Sequence, residues 1–389
     1  MRLDGKETRH VGAAGEPRRV LFVDHARAMG GAETSLLILM KHFDPERYRP
    51  ILATQEGVLM DRALDAGIEA HSIAMPRLKR SARAPFDLSL GSLALRRLAR
   101  EQGCAMVHAN VLRAAVYAAP AAKIAGLPLV WHVRDILSPG VTTKSLCRAS
   151  KAVIAISQAV SRDLPCAAST HVIYNPIERS RATKLDRSAL GLPLEGRLVA
   201  TVGRLRRWKG HHRFIEVAAS LAQAHPDLRF LVVGGRIFSE DDSDADYPDA
   251  LRRLATEKGI AERVFFLGHR DDVDAIWPHL SALVHLGDAE PFGRVVAEAQ
   301  MAGVPAIGFD EGGLPEIIAP GTTGYLVPKG DLGGVGGALS LVLDDPDRSK
   351  ALSEQARRSA EHRFDVLGHA EAVQAVYDSL LPITSPGEY

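Results

Sequence analysis

The chain has 389 residues, 46% of them hydrophobic and 24% charged, with 48 Lys and Arg against 47 Asp and Glu. That length exceeds what one hydrophobic core usually supports, so two domains of about 180 residues each are expected, and the balanced charge speaks against a dedicated nucleic-acid binder. No apolar run approaches the roughly 18 to 20 residues that span a bilayer, and Cys104, Cys147 and Cys166 stand at wide spacing with no Cys-x-x-Cys pair, which reads as reduced thiols in a cytoplasmic interior.

Residues 1–18, rich in Gly, Arg and Glu, carry no apolar core and read as a disordered lead-in, neither signal peptide nor anchor. From Val20 onward, short runs of Val, Ile and Leu alternate with segments of helical period, the pattern of parallel sheets covered on both faces. The expected strands of the first half are residues 20–23, 51–54, 104–108, 129–132, 153–156 and 172–173. After Asn175-Pro176 the alternation lapses, with charges, Gly191 and Pro193 in place of apolar periodicity. We read residues 19–180 as the first domain and 181–193 as a linker. The alternation restarts with strands expected at 198–202, 230–233, 264–267, 282–285 and 306–307, within a second domain of residues 194–364. Phe214, Val217, Ala218 and Leu221 fall at helical spacing and mark one buried stripe. The tail from Asp347 to Leu380 reads as helices broken near residues 363–365, leaving 365–389 as a final helical segment. The fold class is therefore α/β, with two Rossmann-like doubly wound parallel sheets.

Four stretches could carry chemistry. Met29-Gly30-Gly31-Ala32-Glu33-Thr34 follows the first strand and opens a helix, where glycines admit a ligand to the backbone and free N–H groups attract anions. A tight strand-to-helix turn accounts for the same residues. The stretch is neither a Gly-x-Gly-x-x-Gly fingerprint, which argues against an NAD-dependent oxidoreductase, nor a Walker loop. Gly203-Arg204-Leu205-Arg206-Arg207-Trp208-Lys209-Gly210 lies beyond the next domain's first strand, so Arg204 and Lys209 are placed to neutralise a diphosphate; a solvated turn is the plain alternative. Glu290-Pro291-Phe292-Gly293-Arg294-Val295-Val296-Ala297-Glu298 puts Glu290 in a loop and Glu298 about one turn into a short buried helix. Carboxylates there bind sugar hydroxyls while backbone N–H groups hold phosphate, unless both only pair with surface arginines. Trp131-His132-Val133-Arg134-Asp135 sets a histidine at a strand's carboxyl end, suited to donating or shuttling a proton, though a lone His is commonly structural.

The run Glu240 to Asp246 contains Asp-x-Asp spacings but no apolar support, so it is read as a solvated loop and no metal is expected. Arg77, Lys79, Arg80 and Arg83 precede a helix carrying Leu88, Leu93, Leu95, Arg96, Arg97 and Arg100. That pattern fits a weak peripheral contact with an anionic membrane, beside the simpler reading of a solvated basic edge.

The ordered set Gly30-Gly31-Ala32-Glu33, Trp131-His132, Ile154-Ala155-Ile156-Ser157, Asn175-Pro176, Val202-Gly203-Arg204-Leu205 with Lys209-Gly210, Phe266-Leu267-Gly268, Glu290 to Glu298 and Gly312-Gly313-Leu314-Pro315-Glu316 resembles the retaining nucleotide-sugar glycosyltransferases of family 4. The likeness runs from about Val20 to Tyr377, with a mild departure at Asn175-Pro176-Ile177, where many relatives have Asn-Gly-Val. It implies the GT-B fold, two Rossmann-like domains facing a cleft, with a final helix that crosses back to the first domain. It also implies roles. Arg204 and Lys209, with backbone at Gly31, Arg294 and Val295, would hold the donor diphosphate. Glu298 would bind ribose, Glu290 with backbone at Phe292 and Gly293 would grip the transferred sugar, and His132 would meet that sugar near the reacting carbon. The loop Gly268, His269 and Arg270 would face the base. The resemblance further implies a UDP- or GDP-linked sugar as co-substrate with no other cofactor, and retention by front-face attack assisted by the departing phosphate. The acceptor would be a glycan, a lipid-linked sugar or a small molecule, and no nucleic acid is involved. A nucleotide-sugar epimerase of the same fold and a non-catalytic sugar-nucleotide scaffold are the competing readings.

Overall fold

The computed structural model of the protein describes residues 16–78, 83–179, 185–235 and 244–381. Residues 1–15 of the lead-in, Lys79 and Arg80, 181–184 of the linker and 240–243 of the acidic run lie outside the described residues. The chain divides into two compact units, Met1–Pro176 with Val366–Tyr389, and Ile177–Asp365.

The first unit alternates β1 (Arg18–Val23), α1 (Gly31–Lys41), β2 (Tyr48–Thr54), α2 (Val58–Asp65), β3 (Glu69–Ser72), α3 (Ala84–Glu101), β4 (Met106–Ala109), α4 (Leu112–Ala125), β5 (Leu129–Val133), α5 (Val141–Ala149), β6 (Ala152–Ala155), α6 (Gln158–Ser161) and β7 (Thr170–Val172). Its strands form one parallel sheet in the order β3-β2-β1-β4-β5-β6-β7. The order reverses between β1 and β4, the switch point at which open α/β sheets leave a crevice. Strands β4, β5 and β6 are buried at every position, as expected of strands covered on both faces.

The second unit repeats the plan with β8 (Arg197–Val202), α7 (His211–Leu221), β9 (Leu228–Val233), α8 (Tyr247–Glu257), β10 (Val264–Gly268), α9 (Val273–Ile276), β11 (Leu280–His285), α10 (Arg294–Met301), β12 (Ala306–Phe309), β13 (Gly324–Val327), α11 (Leu332–Leu343) and α12 (Pro346–Arg363). The parallel order is β10-β9-β8-β11-β12-β13, with its switch between β8 and β11. Its core gathers Phe214, Val217, Ala218 and Leu221 of α7 against Phe230, Val284 and Ile307 of the sheet. Helices α11 and α12 start under side-chain caps, Asp331 accepting from Gly334 N and Asp345 from Arg348 N.

The last helix, α13 (Val366–Leu380), belongs to the first unit. Ala370, Val373 and Tyr377 pack into a core with Val20, Phe22, Leu39 and Tyr48, and Tyr48 Oη donates to Asp378 at 2.7 Å.

Three features differ from the sequence reading. Strands β3 and β13 lie outside the expected set: β3, Glu-Ala-His-Ser at a sheet edge, lacks the apolar run that burial on both faces demands, and β13, Gly-Tyr-Leu-Val, is a short edge strand buried only at its two ends. Described residues of the expected linker fold onto the second unit, where Leu190 and Leu192 are buried and Arg187 donates to the Gly196 carbonyl at 2.8 Å. The cysteines are not three separate thiols. Cys147 and Cys166 form a disulfide with Cα atoms 5.5 Å apart, and only Cys104 is free. The pair is 19 positions apart, and pairing of β6 with β7 brings the end of α5 beside the turn before β7, a proximity invisible in spacing. The cysteine content therefore supplies no argument for a reducing compartment.

Candidate active site

The loops leaving β8, β9 and β10 are bound to one another through glycine. Gly203 N donates to Val233 O at 2.9 Å and Gly234 N to Gly268 O at 2.8 Å. Gly234 has φ +151°, and a Cβ there would lie 1.8 Å from the Gly203 carbonyl oxygen, so only glycine fits. Backbone thus approaches backbone at the strand ends, and the Gly203–Gly210 stretch is seated against the sheet.

Lys209, in that stretch, and Glu290, in the loop after β11, come together. Lys209 Nζ lies 2.6 Å from Glu290 Oε2, and His285 Nε2, at the end of β11, lies 3.0 Å from the same oxygen. Lys209 and Glu290 keep only 14% and 10% of their side-chain exposure and His285 1%, so this is a charged cluster with little water. Burial pushes the Glu290 pKa up, but the Lys209 ammonium and the His285 hydrogen bond outweigh it and hold the carboxyl well below the usual carboxylate range. The Arg204 guanidinium is exposed and has no hydrogen-bond or ion-pair partner among the described residues, while its carbonyl lies 3.1 Å from His211 Nε2. Arg206 and Arg207 turn instead to Asp244, and Arg207 also to Asp246 at 2.9 Å, so the described carboxylates of the acidic run are engaged by arginine.

The Glu290 loop is held from behind. Gly313 N donates to Glu290 O at 2.7 Å, and a Cβ on Gly312 would come within 2.4 Å of that oxygen. Ala289 takes φ +44°, a left-handed conformation costly for any residue with a Cβ and kept only where the surroundings enforce it. Gly293 caps α10 without a side-chain hydrogen bond, so the cap residue is backbone alone at the positive end of that helix. Phe292 is buried against Phe364, 5.6 Å between ring centroids, so its side chain is committed to packing. Glu298 sits in α10 and pairs with Arg294 at 2.8 Å. Desolvation raises the Glu298 pKa and Arg294 opposes the rise. Past β10, Gly268 adopts φ +68°, His269 is exposed, and Arg270 is locked to Asp272 at 2.7 Å through two nitrogens.

In the first unit, Gly30 caps α1 without a side-chain bond and Gly31 begins the helix, exposed. His132 is fully buried on β5, in a polar network that sequence reading missed. Arg134 Nε donates to Asn110 Oδ1 at 2.7 Å and its Nη1 to Asn175 Oδ1 at 2.5 Å, while Asn110 Nδ2 donates to Asp24 Oδ2 at 2.7 Å. Burial raises the Asp24 pKa, opposed by the hydrogen bonds from Asn110 and Ala26 and by Arg134. The available signal was alternation: His108-x-Asn110 and His132-x-Arg134 place polar side chains on one pleat face at the ends of two apolar strands. His285 was likewise read only as the end of a strand.

The comparisons bear directly on this pair of units. Residues 29–181 match the family described as Glycosyltransferase Family 4, and residues 183–359 match Glycosyl transferases group 1. The chain belongs to the family 4 glycosyltransferases. It is 35% identical over 214 residues to the D-inositol 3-phosphate glycosyltransferase of Corynebacterium urealyticum, covering 54% of this chain and 49% of that protein. It is 28% identical over 248 residues to the lipopolysaccharide core biosynthesis mannosyltransferase LpsB of Rhizobium meliloti, 61% and 68% of the two chains. The matches span about half the length of the first of these curated relatives. Among solved structures, HepE of Anabaena in complex with UDP-glucose superposes with a TM-score of 0.80 at 26% identity, over 93% of this chain and 99% of that one. A glycosyltransferase from Rickettsia africae reaches 0.83 at 17% identity, over 95% and 100% of the two chains, a likeness of fold. The two Rossmann-like units of this family member are thus those of the GT-B class.

The Glu290 cluster sets a pH dependence of stability. A carboxyl whose folded pKa is depressed contributes stability that is fully present above its unfolded value, about 4.3, and lost as pH falls below it. Urea unfolding should show this loss below about pH 4.5 in the wild type and a flatter profile in Glu290→Gln, which should also lose about 3 kcal/mol at pH 7 because Lys209 is left unpaired. Superimposable profiles would show that the cluster carries no such linkage.

Proposed function

We propose that this chain transfers a sugar from a nucleoside-diphosphate sugar, UDP- or GDP-linked, to a glycan, lipid-linked or small-molecule acceptor. The observation that carries the reading is the buried Lys209–Glu290–His285 cluster beside the uncapped start of α10, in a member of this family. It brings a cation and a fixed carboxylate together at the sheet edge from which α10 starts. HepE, the neighbour at 26% identity, was crystallised with UDP-glucose, which supports a UDP-linked donor.

The chemistry turns on the leaving group. Departure of a nucleoside diphosphate needs its growing charge neutralised. Arg204 has no partner among the described residues, and Lys209 spends one of its three N–H donors on Glu290, so both retain capacity for phosphate. Backbone N–H groups at Gly31, Arg294 and Val295 add to them. Glu290, fixed as an anion, accepts from hydroxyls of the transferred sugar, Glu298 from the ribose, and the Gly268–Arg270 loop serves the base. His132 is assigned to the sugar. These groups supply the electrostatics without a divalent ion and suit transfer with retention. We further propose a peripheral contact with the inner face of the membrane: on α3, Phe86, Leu90 and Leu93 form an exposed apolar stripe at helical spacing, with Arg83, Arg97 and Arg100 exposed nearby, which supports this reading. The cytoplasmic leaflet is anionic and complements those arginines.

Three measurements test this. UDP-glucose turnover should survive EDTA and yield a product with the donor's anomeric configuration, read by proton NMR; rescue by Mn or Mg removes metal independence, and an inverted product removes retention. Vesicles containing anionic lipid should sediment the protein at low salt and release it at high salt, and Leu90→Glu should weaken that attachment; absence from the pellet at both salts argues for a soluble acceptor. Calorimetry separates the two glutamates. Glu298→Ala should weaken UDP about tenfold to a hundredfold, from lost hydrogen bonds of roughly 1.5 to 3 kcal/mol, whereas Glu290→Gln should leave UDP affinity near wild type and lower turnover. Equal losses of UDP affinity would refute the division of roles.

A further inference from the structure

His132 Nδ1 is approached by two groups, His108 Nε2 at 3.3 Å and Arg134 Nη2 at 3.5 Å. A guanidinium offers only N–H groups, so this edge of the imidazole accepts, and a neutral ring then carries its proton on Nε2. His108 must therefore donate from Nε2. Its Nδ1, 2.5 Å from Tyr377 Oη, is left to accept the phenol proton. A single hydrogen-bond direction runs from α13 through β4 to β5, and it ends on an Nε2–H of His132 that is buried and has no partner among the described residues.

We propose that Tyr377 and His108 are positioning residues that hold His132 as an Nε2–H hydrogen-bond donor to an oxygen of the transferred sugar. The inference rests on the reading that His132 acts on that sugar. A buried donor without a partner costs stability unless a ligand satisfies it, and a ring already carrying the Nε2 proton acts there as a donor and not as a general base. The surroundings keep the ring neutral: desolvation, then Arg134, His108 and His369, whose ring stacks 6.4 Å from that of His132, all disfavour the imidazolium. Tyr377 is equally enclosed, with Phe43 and Tyr48 against its ring, and burial keeps its phenol protonated. No proton moves along the chain; its effect is to fix one tautomer before substrate arrives.

The tautomer can be read without activity. Long-range proton–nitrogen NMR on the full chain with labelled histidine should show His108 and His132 both protonated at Nε2 at pH 7, with His132 staying neutral through the range in which an ordinary imidazole titrates. Tyr377→Phe removes one oxygen. It should mix the His132 tautomers and lower kcat with UDP-glucose about tenfold or more, with KM within about twofold. A wild-type His132 protonated at Nδ1, or cationic at pH 7, overturns the proposal whether or not the variant folds. Unchanged kcat in Tyr377→Phe while His132→Ala is impaired removes the relay. Unchanged kcat in His132→Ala removes instead the sugar role on which the relay depends.

Discussion

In a parallel sheet joined by right-handed crossovers every strand ends on the same edge, and that constraint organises both units of this protein. The groups that matter sit at or just past that edge: Asp24, Asn110, His132 and Arg134 at the ends of β1, β4 and β5, and Gly203, Gly234, Gly268 and Glu290 at the ends of β8, β9, β10 and β11. Residues remote in sequence become neighbours because β1 lies beside β4 and β8 beside β11. Lys209 and Glu290, separated by 81 positions, meet at 2.6 Å for this reason.

The two edges handle buried charge differently. In the second unit a carboxylate is kept ionised by a cation and an imidazole pressed against it, so the anion is fixed and oriented. In the first, the Arg134 guanidinium is spread over two asparagine oxygens and reaches Asp24 through Asn110. Burial first, and then the positive field that this arrangement leaves beside His132, keep its imidazole uncharged. One edge presents fixed charge, and the other a neutral donor.

Glycine gives these groups their stage. The Gly203–Gly234 approach and the seat of Gly312 and Gly313 under Glu290 are contacts a single methyl group would forbid. Ala289, at φ +44°, shows the same loop drawn into a conformation that its neighbours must enforce. The loop is tied by Ala289 N donating to the Glu311 carboxylate at 3.1 Å and by Gly313 N donating to Glu290 O, so strain is offset by one side-chain and one backbone hydrogen bond.

The sequence by itself determined the architecture, since runs of Val, Ile and Leu between amphipathic segments have no stable arrangement other than parallel sheets covered on both faces. It also marked Gly30, Arg204, Lys209, Glu290 and Glu298, whose positions beyond strands follow from local pattern. Tertiary structure decided what pattern does not encode. Edge strand β3 carries too little burial to leave an apolar run. The Cys147–Cys166 link and the Lys209–Glu290–His285 cluster depend on which strands are neighbours. The tautomer of His132 depends on Tyr377, 245 positions away, because only the packing of α13 into the first unit brings the phenol to His108. Periodicity reports the face a residue occupies, and hydrogen bonds across a sheet edge arise only once the strand order is set.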